Sequence, residues 1–273
     1  MKPGDADMHT APAIADKASL RLVTVAISTL GAGIGRIVLP SPRQGLEYLV
    51  LHQAPAEASH EAVAALCRGR DDVTVVPLPG SGLSHSRNAG LLRAQSDLVL
   101  FSDDDVALVP EGVLALRDRF SDDPDLVLAA GWRVGRLPRG ARATVLTRFN
   151  SGRICAPEFM VHKGRVQALG VQFDSEFGLG ATYGLGEDYI FVCDLLRAGG
   201  KGQAFPVETG AHPHASTGDK WDDPDVMRAR QAVIWRVFRG GALAVRLAYA
   251  VRHRRNLGSA RAMWRFVWPE RQK

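Results

Sequence analysis

Leu98-Val99-Leu100-Phe101-Ser102-Asp103-Asp104-Asp105 runs four apolar residues, with the profile of a strand buried on both faces, directly into three consecutive carboxylates. The apolar profile recurs upstream in Leu22 to Ser28, Tyr48-Leu49-Val50-Leu51 and Val73-Thr74-Val75-Val76, each set off by a turn signal or a polar break. Helical periodicity fills the gaps, over His60 to Arg68 and Ser84 to Ala94, and Pro110-Glu111 opens a further helix to Phe120. Alternating strands and helices predict an α/β fold: a mostly parallel sheet of nucleotide-binding type with right-handed crossovers and helices on both faces. The acidic loop then sits at the carboxyl end of a strand, the edge where open α/β sheets bind ligands. From Leu126 to Gly180 the pattern is mixed, with short strands, many glycines and several arginines. Glu187 to Ala198 reads as a helix with Ile190, Cys193 and Leu196 on one stripe and Gly199-Gly200 as its stop, and the chain looks helical from Pro224 onward.

With 273 residues, 46% hydrophobic and 23% charged, the chain can bury a sizeable core, which excludes disorder throughout. Its 28 Gly and 15 Pro follow no period, and no repeat of solenoid or propeller length is present. Cys67, Cys155 and Cys193 are widely spaced and form no C-x-x-C pair, so they read as reduced, small buried side chains. No apolar run is long enough to span a bilayer. Residues 1–19 lack the features of a signal peptide and are expected to form a disordered tail of a cytoplasmic protein. A catalytic domain over 20–223 and a basic, amphipathic helical region over 224–273 complete the expected organisation. Residues 227–273 hold twelve Arg or Lys against one acid, Glu270, so this stretch carries +11 and the rest of a +5 chain is acidic at −6. A basic, Trp-rich region fits an anionic membrane surface, which supplies an apolar layer that DNA lacks; a solvated helical face would have the same composition.

Several familiar motifs fail. In Gly31-x-Gly33-x-Gly35 the third glycine of a dinucleotide fingerprint is replaced by Arg36, and the second strand ends in His52-Gln53 with no acid for a ribose. No Walker-type phosphate loop exists, Gly82-Leu83-Ser84-His85-Ser86 misses the nucleophile elbow, and His60-Glu61 lacks its second histidine. Three polar elements remain. In an extended loop Asp103 and Asp105 point to one side, so a D-x-D directs two carboxylates at a hard divalent ion; an acidic approach to the next helix would use the same residues. Gly186-Glu187-Asp188 opens an apolar-striped helix, whose N-terminus favours an ionised base, although ordinary capping uses the same residue types. His212-Pro213-His214 offers imidazole nitrogen beside the carboxylates, where a polar loop would serve as well.

Ile27-Ser28-Thr29, the run Gly82-Leu83-Ser84-His85-Ser86-Arg87-Asn88-Ala89-Gly90, the triplet Asp103-Asp104-Asp105, Phe173-Asp174 through Phe177-Gly178-Leu179-Gly180, and Gly186-Glu187-Asp188-Tyr189-Ile190-Phe191 occur in that order. Together, over about residues 20 to 222, they resemble the GT-A glycosyltransferases of family 2, most closely the bacterial cytoplasmic enzymes that build surface polysaccharides. The resemblance implies a GT-A fold and an inverting transfer from a nucleoside-diphosphate sugar to a hydroxyl of a glycan or lipid-linked acceptor, assisted by Mn2+ or Mg2+. Ser28, Thr29, Arg87, Asp103 and Asp104 match positions at the nucleotide sugar; Asp103, Asp105 and His214, with His212 competing, match metal positions; Asp188 matches the catalytic base. Gln53 departs from the pattern, standing where many members carry an acid that pairs with the nucleotide base. No nucleic-acid partner is expected. A sugar nucleotidyltransferase, with Arg36 as its only nearby basic residue, and a non-catalytic membrane or nucleic-acid adaptor are the alternatives.

Overall fold

The computed structural model describes residues 22–212 and 217–268; the predicted N-terminal tail and His214 lie outside them. In chain order, β1 (Val23–Leu30) passes through a 3-10 turn at Gly31–Arg36 to β2 (Leu46–Gln53), α1 (His60–Cys67), β3 (Val73–Leu78), α2 (Leu83–Arg93), β4 (Leu98–Asp103), β5 (Ala107–Leu108) and α3 (Pro110–Asp122). There follow β6 (Leu126–Arg133), β7 (Thr144–Val145), β8 (Phe159–His162), α4 (Lys163–Ala168), α5 (Glu187–Arg197) and β9 (Lys201–Ala211). The chain ends in α6 (Pro224–Phe238), α7 (Ala242–Arg252), the short α8 (Arg254–Leu257) and α9 (Ala260–Val267).

One sheet runs through the molecule in the order β3-β2-β1-β4-β8-β6-β9-β5, with β7 added to β9. The first four strands are parallel, as the βα alternation requires. Beyond β4 the sheet is mixed: β8 is antiparallel to both β4 and β6, whereas β6 and β9 are parallel. Strand pleating divides the core between two faces. Val23, Val25 and Ile27 of β1 with Leu98 and Leu100 of β4 pack under α1 and α3. Ala26, Val99 and Phe101 face the other way, toward α2, α4 and α5. On that second face Phe101, Phe159, Phe173 and Phe191 form an aromatic cluster, in which Phe173 and Phe191 stack at 3.9 Å.

The C-terminal helices belong to the same body. Asp223 caps α6, its Oδ1 accepting the Asp225 N–H at 2.9 Å, with Pro224 in the first turn. Val233 and Val237 of α6 pack on Ile190 and Cys193 of α5. A separate cluster of Ile234, Ala242, Ala250, Leu257, Phe266 and Val267 ties α6 to α7, α8 and α9. The 3-10 turn at Arg239–Gly241 separates α6 from α7, where Gly240-Gly241 marks the break. All three cysteines are free thiols; Cys193 is buried, and Cys67 and Cys155 are partly so.

Candidate active site

The parallel strands end at one edge, and their register sets the site there. Ser28 pairs with Asp103 across β1 and β4, and Thr29 and Leu30 pair with His52 and Gln53 of β2. The turn after β1 is pinned to the acidic loop: Thr29 Oγ1 donates to Asp104 Oδ2 at 2.7 Å and Arg36 Nη2 donates to Asp104 Oδ1 at 2.8 Å. A Cβ at Gly33 would press on this Asp104 carboxylate and displace it from Thr29 and Arg36, so the absence of a side chain there leaves room for the contact. Ser28 is buried and accepts the Ser86 hydroxyl at 2.8 Å. The middle acid is thus held by β1 and Arg36, with its side chain 11% exposed, while Asp103 and Asp105 stay more open at 31% and 24%.

Behind this loop lies Arg87 of α2, only 1% exposed. Its Nη1 donates to Glu187 Oε1 at 2.9 Å and also to Asp188 Oδ1, and its Nη2 reaches Asp103 Oδ1 at 3.2 Å. Its guanidinium also lies over the Phe173 ring, 5.8 Å from the centroid. Burial works to lower the Arg87 pKa, but Asp188, Asp103 and Glu187 together raise it, so the cation is locked in its charged form. Sequence reading matched this arginine to the nucleotide; the structure turns its fork onto three carboxylates, one from β4 and two from α5.

Asp188 is the second residue of α5, whose N-cap Gly186 has a φ of +99° and a contact with Val233 of α6 that both require glycine. Its Oδ2 accepts the Ala156 N–H at 3.0 Å. The Asp188 carboxyl stands raised at about 7: burial is the largest cause, Arg87 and the Ala156 N–H oppose it, and Glu187 and Asp103 add to the rise. One cation among three carboxylates cannot neutralise them all, which adds to burial in favouring the protonated form of Asp188. Each Asp188 oxygen accepts one donor and keeps a lone pair for a second.

Sequence reasoning missed the turn that presents Ala156. Glu158, buried at its end, accepts the Cys155 N–H at 3.1 Å through Oε2 and the Arg133 N–H at 3.1 Å through Oε1. Glu158 therefore ties Cys155, the residue before the N–H that meets Asp188, to Arg133 at the end of β6. The signal available was an acid inside the otherwise apolar Ile154 to Val161, an environment that admits a carboxylate only with donors around it.

The acidic loop suits a hard divalent ion on its donor chemistry. Asp105 Oδ1 lies 3.3 Å from His212 Nε2, joining one carboxylate to one imidazole at the end of β9. Among the described residues no group of three or more His, Cys, Asp or Glu is assembled for a metal, so phosphate oxygens and water would complete the shell. Gln53, buried at the end of β2, has an Nε2 with no hydrogen-bond partner among the described residues.

Residues 36–157 match the family model described as Glycosyl transferase family 2. Among solved structures, residues 1–349 of S. aureus TarS in complex with UDP-GlcNAc align with a TM-score of 0.55 at 16% identity, covering 85% of this chain and 72% of that one. The UDP complex of the same TarS segment aligns at 0.54 and 16%, with 85% and 71% covered, and the longer TarS structure at 0.55 and 15%, with 85% and 43% covered. At such identity the likeness establishes the fold, which is GT-A-like as expected. No curated protein matches the chain.

Proposed function

We propose that this chain, an inverting glycosyltransferase carrying a family 2 domain, moves a sugar from a uridine-diphosphate sugar to a hydroxyl of a glycan or lipid-linked acceptor in polysaccharide biosynthesis in the cytoplasm. The observation that carries the reading is Asp188: a buried carboxylate at a helix N-terminus, gripped by Arg87 and the Ala156 N–H, beside an open Asp103 and Asp105. UDP-GlcNAc, the donor bound to TarS, is the first candidate. A neutral amide at Gln53 suits a base that presents carbonyl oxygens, as uracil does.

Asp188 accepts the proton of the acceptor hydroxyl as that oxygen attacks the anomeric carbon from the face opposite the diphosphate, which inverts the configuration. A carboxyl poised near neutrality suits that proton transfer. Arg87 holds Asp188 and Asp103 in one geometry, so the base and the acidic loop keep a fixed separation. Thr29 and Arg36 orient Asp104 and leave the flanking acids facing the donor. Asp105 and His212 would hold Mn2+ or Mg2+, which when bound supplies Lewis-acid stabilisation of the leaving diphosphate. The expected ligand His214 remains a proposal beside His212.

A panel of nucleotide sugars with manganese or magnesium tests the reading through thermal stabilisation and acceptor-dependent release of nucleoside diphosphate. Stabilisation by UDP-GlcNAc or another uridine-diphosphate sugar, with UDP released, supports it. Stabilisation only by a nucleoside triphosphate with pyrophosphate release would point to nucleotidyl transfer instead.

A further inference from the structure

The C-terminal helices sort their side chains in a way composition alone does not reveal. α7 turns Ala242 and Ala250 inward and leaves Leu243, Leu247 and Val251, spaced as one helical stripe, exposed. α9 buries Phe266 and Val267 while Trp264 and Trp268, with rings 5.8 Å apart, stay 65% and 49% exposed. The guanidiniums of Arg239, Arg252, Arg254, Arg255, Arg261 and Arg265 are exposed on the same helices and their joining turn. No Asp or Glu occurs from Val226 to Trp268, and the ion pairs of this stretch involve Arg228 and Arg236 alone among the described residues. A cleft of about 1290 Å³ separates Phe177 and Tyr183 from Trp235, Arg239, Arg246 and Arg265. Gly178, in the same loop as Phe177, lies against the Glu187 side chain, so the cleft borders the catalytic edge.

We infer that these helices dock the protein on an anionic lipid bilayer, Trp264, Trp268 and the Leu243–Val251 stripe entering the interface while the exposed arginines meet headgroup phosphates. Aromatic and aliphatic groups beside guanidiniums match a surface that has both an apolar layer and negative charge. Nucleic acid supplies the charge without a layer to receive the aliphatic stripe. Docking brings the cleft to the membrane surface, where a lipid-linked acceptor is presented; that last step rests on the proposed transfer reaction, whereas the docking does not.

The test is co-sedimentation of the full chain with phosphatidylglycerol-containing vesicles, with neutral phosphatidylcholine vesicles, and retention on duplex DNA. Binding to the anionic vesicles is expected to exceed that to neutral ones by about tenfold or more, since each engaged basic residue strengthens it severalfold. The Trp264→Ser/Trp268→Ser and Arg261→Gln/Arg265→Gln variants, all at exposed positions, are each expected to lose about tenfold with unchanged thermal unfolding. Equal binding to both vesicle types, full binding by both variants, or tighter retention on DNA than on vesicles overturns the inference. Sedimentation without any release of nucleoside diphosphate would sink the reaction and leave the docking, and the converse result would do the opposite.

Discussion

Arginine does opposite work in two parts of this molecule. At the candidate site Arg87 is fully enclosed, with carboxylates from β4 and α5 on its fork and a phenyl ring over its guanidinium. On α7, α8 and α9 Arg252, Arg254, Arg255, Arg261 and Arg265 stand in solvent on helices with no acid. The buried cation sacrifices hydration and is held only because three carboxylates replace it, so it fixes geometry. The exposed cations keep their hydration and leave their charge available to a partner. Sequence composition counts both kinds alike; burial separates them.

The sharpest way to break this contrast is at the base. Asp188→Asn is expected to lower turnover by a factor on the order of 10² to 10⁴ while donor affinity stays nearly intact, as for loss of a general base. Steady-state rates beside donor titrations check this, and near-normal turnover with chemistry rate-limiting would move the role to Glu187. Arg87→Met is expected next, with a loss of about 3–5 kcal/mol in urea unfolding, because the buried carboxylates lose their shared cation. A loss below about 1 kcal/mol would show that water reaches Asp188 and that the enclosure is not energetically real.

Asp105→Ala is expected to abolish the response of donor binding to manganese, and His212→Ala to weaken it less, since a hard ion depends more on carboxylate than on one nitrogen. Metal titrations monitored by donor binding read both, and an unchanged response in Asp105→Ala would remove the D-x-D from metal binding. The smallest effect belongs to the other region: Leu247→Ser, on the exposed stripe of α7, is expected to change stability by no more than about 0.5 kcal/mol. A much larger loss in urea unfolding would mean that the stripe is packed rather than presented.

The first half of the fold was legible because its strands are apolar runs set off by turn signals, buried on both faces in β1, β2 and β4, so β1 to β4 appear within a few residues of their expected limits. The same reading placed the acidic loop at the end of β4 and Asp188 in the first turn of α5. β6 and β8 carried no comparable signal: β8 has four residues, and its antiparallel partners β4 and β6 lie far from it in sequence. Arg87 could be seen as a candidate but its direction could not, since Ser86-Arg87-Asn88 is equally compatible with facing phosphate or carboxylate. The brace through Glu158 and Ala156 joins residues some thirty positions from Asp188, a distance with no periodicity to betray it. In the C-terminal helices the aromatic residues divide, Tyr249 and Phe266 stacking inward while Trp235, Trp264 and Trp268 face out, a sorting by helix face that composition does not carry.

The pH dependence of single-turnover transfer tests the central claim, that a buried Asp188 held by Arg87 takes the acceptor proton. Its carboxyl lies at about 7 in the folded protein against an ordinary value of 3.8, so folding favours the protonated form. Its contribution to stability is therefore full below the ordinary value and is lost as pH rises through about 7, whereas activity needs the ionised form and rises over the same window. The account predicts a transfer rate that climbs through a single ionisation near pH 7 in the natural protein and a low residual rate lacking that limb in Asp188→Asn. A limb that persists unchanged in the variant would contradict it and assign the proton transfer to another group.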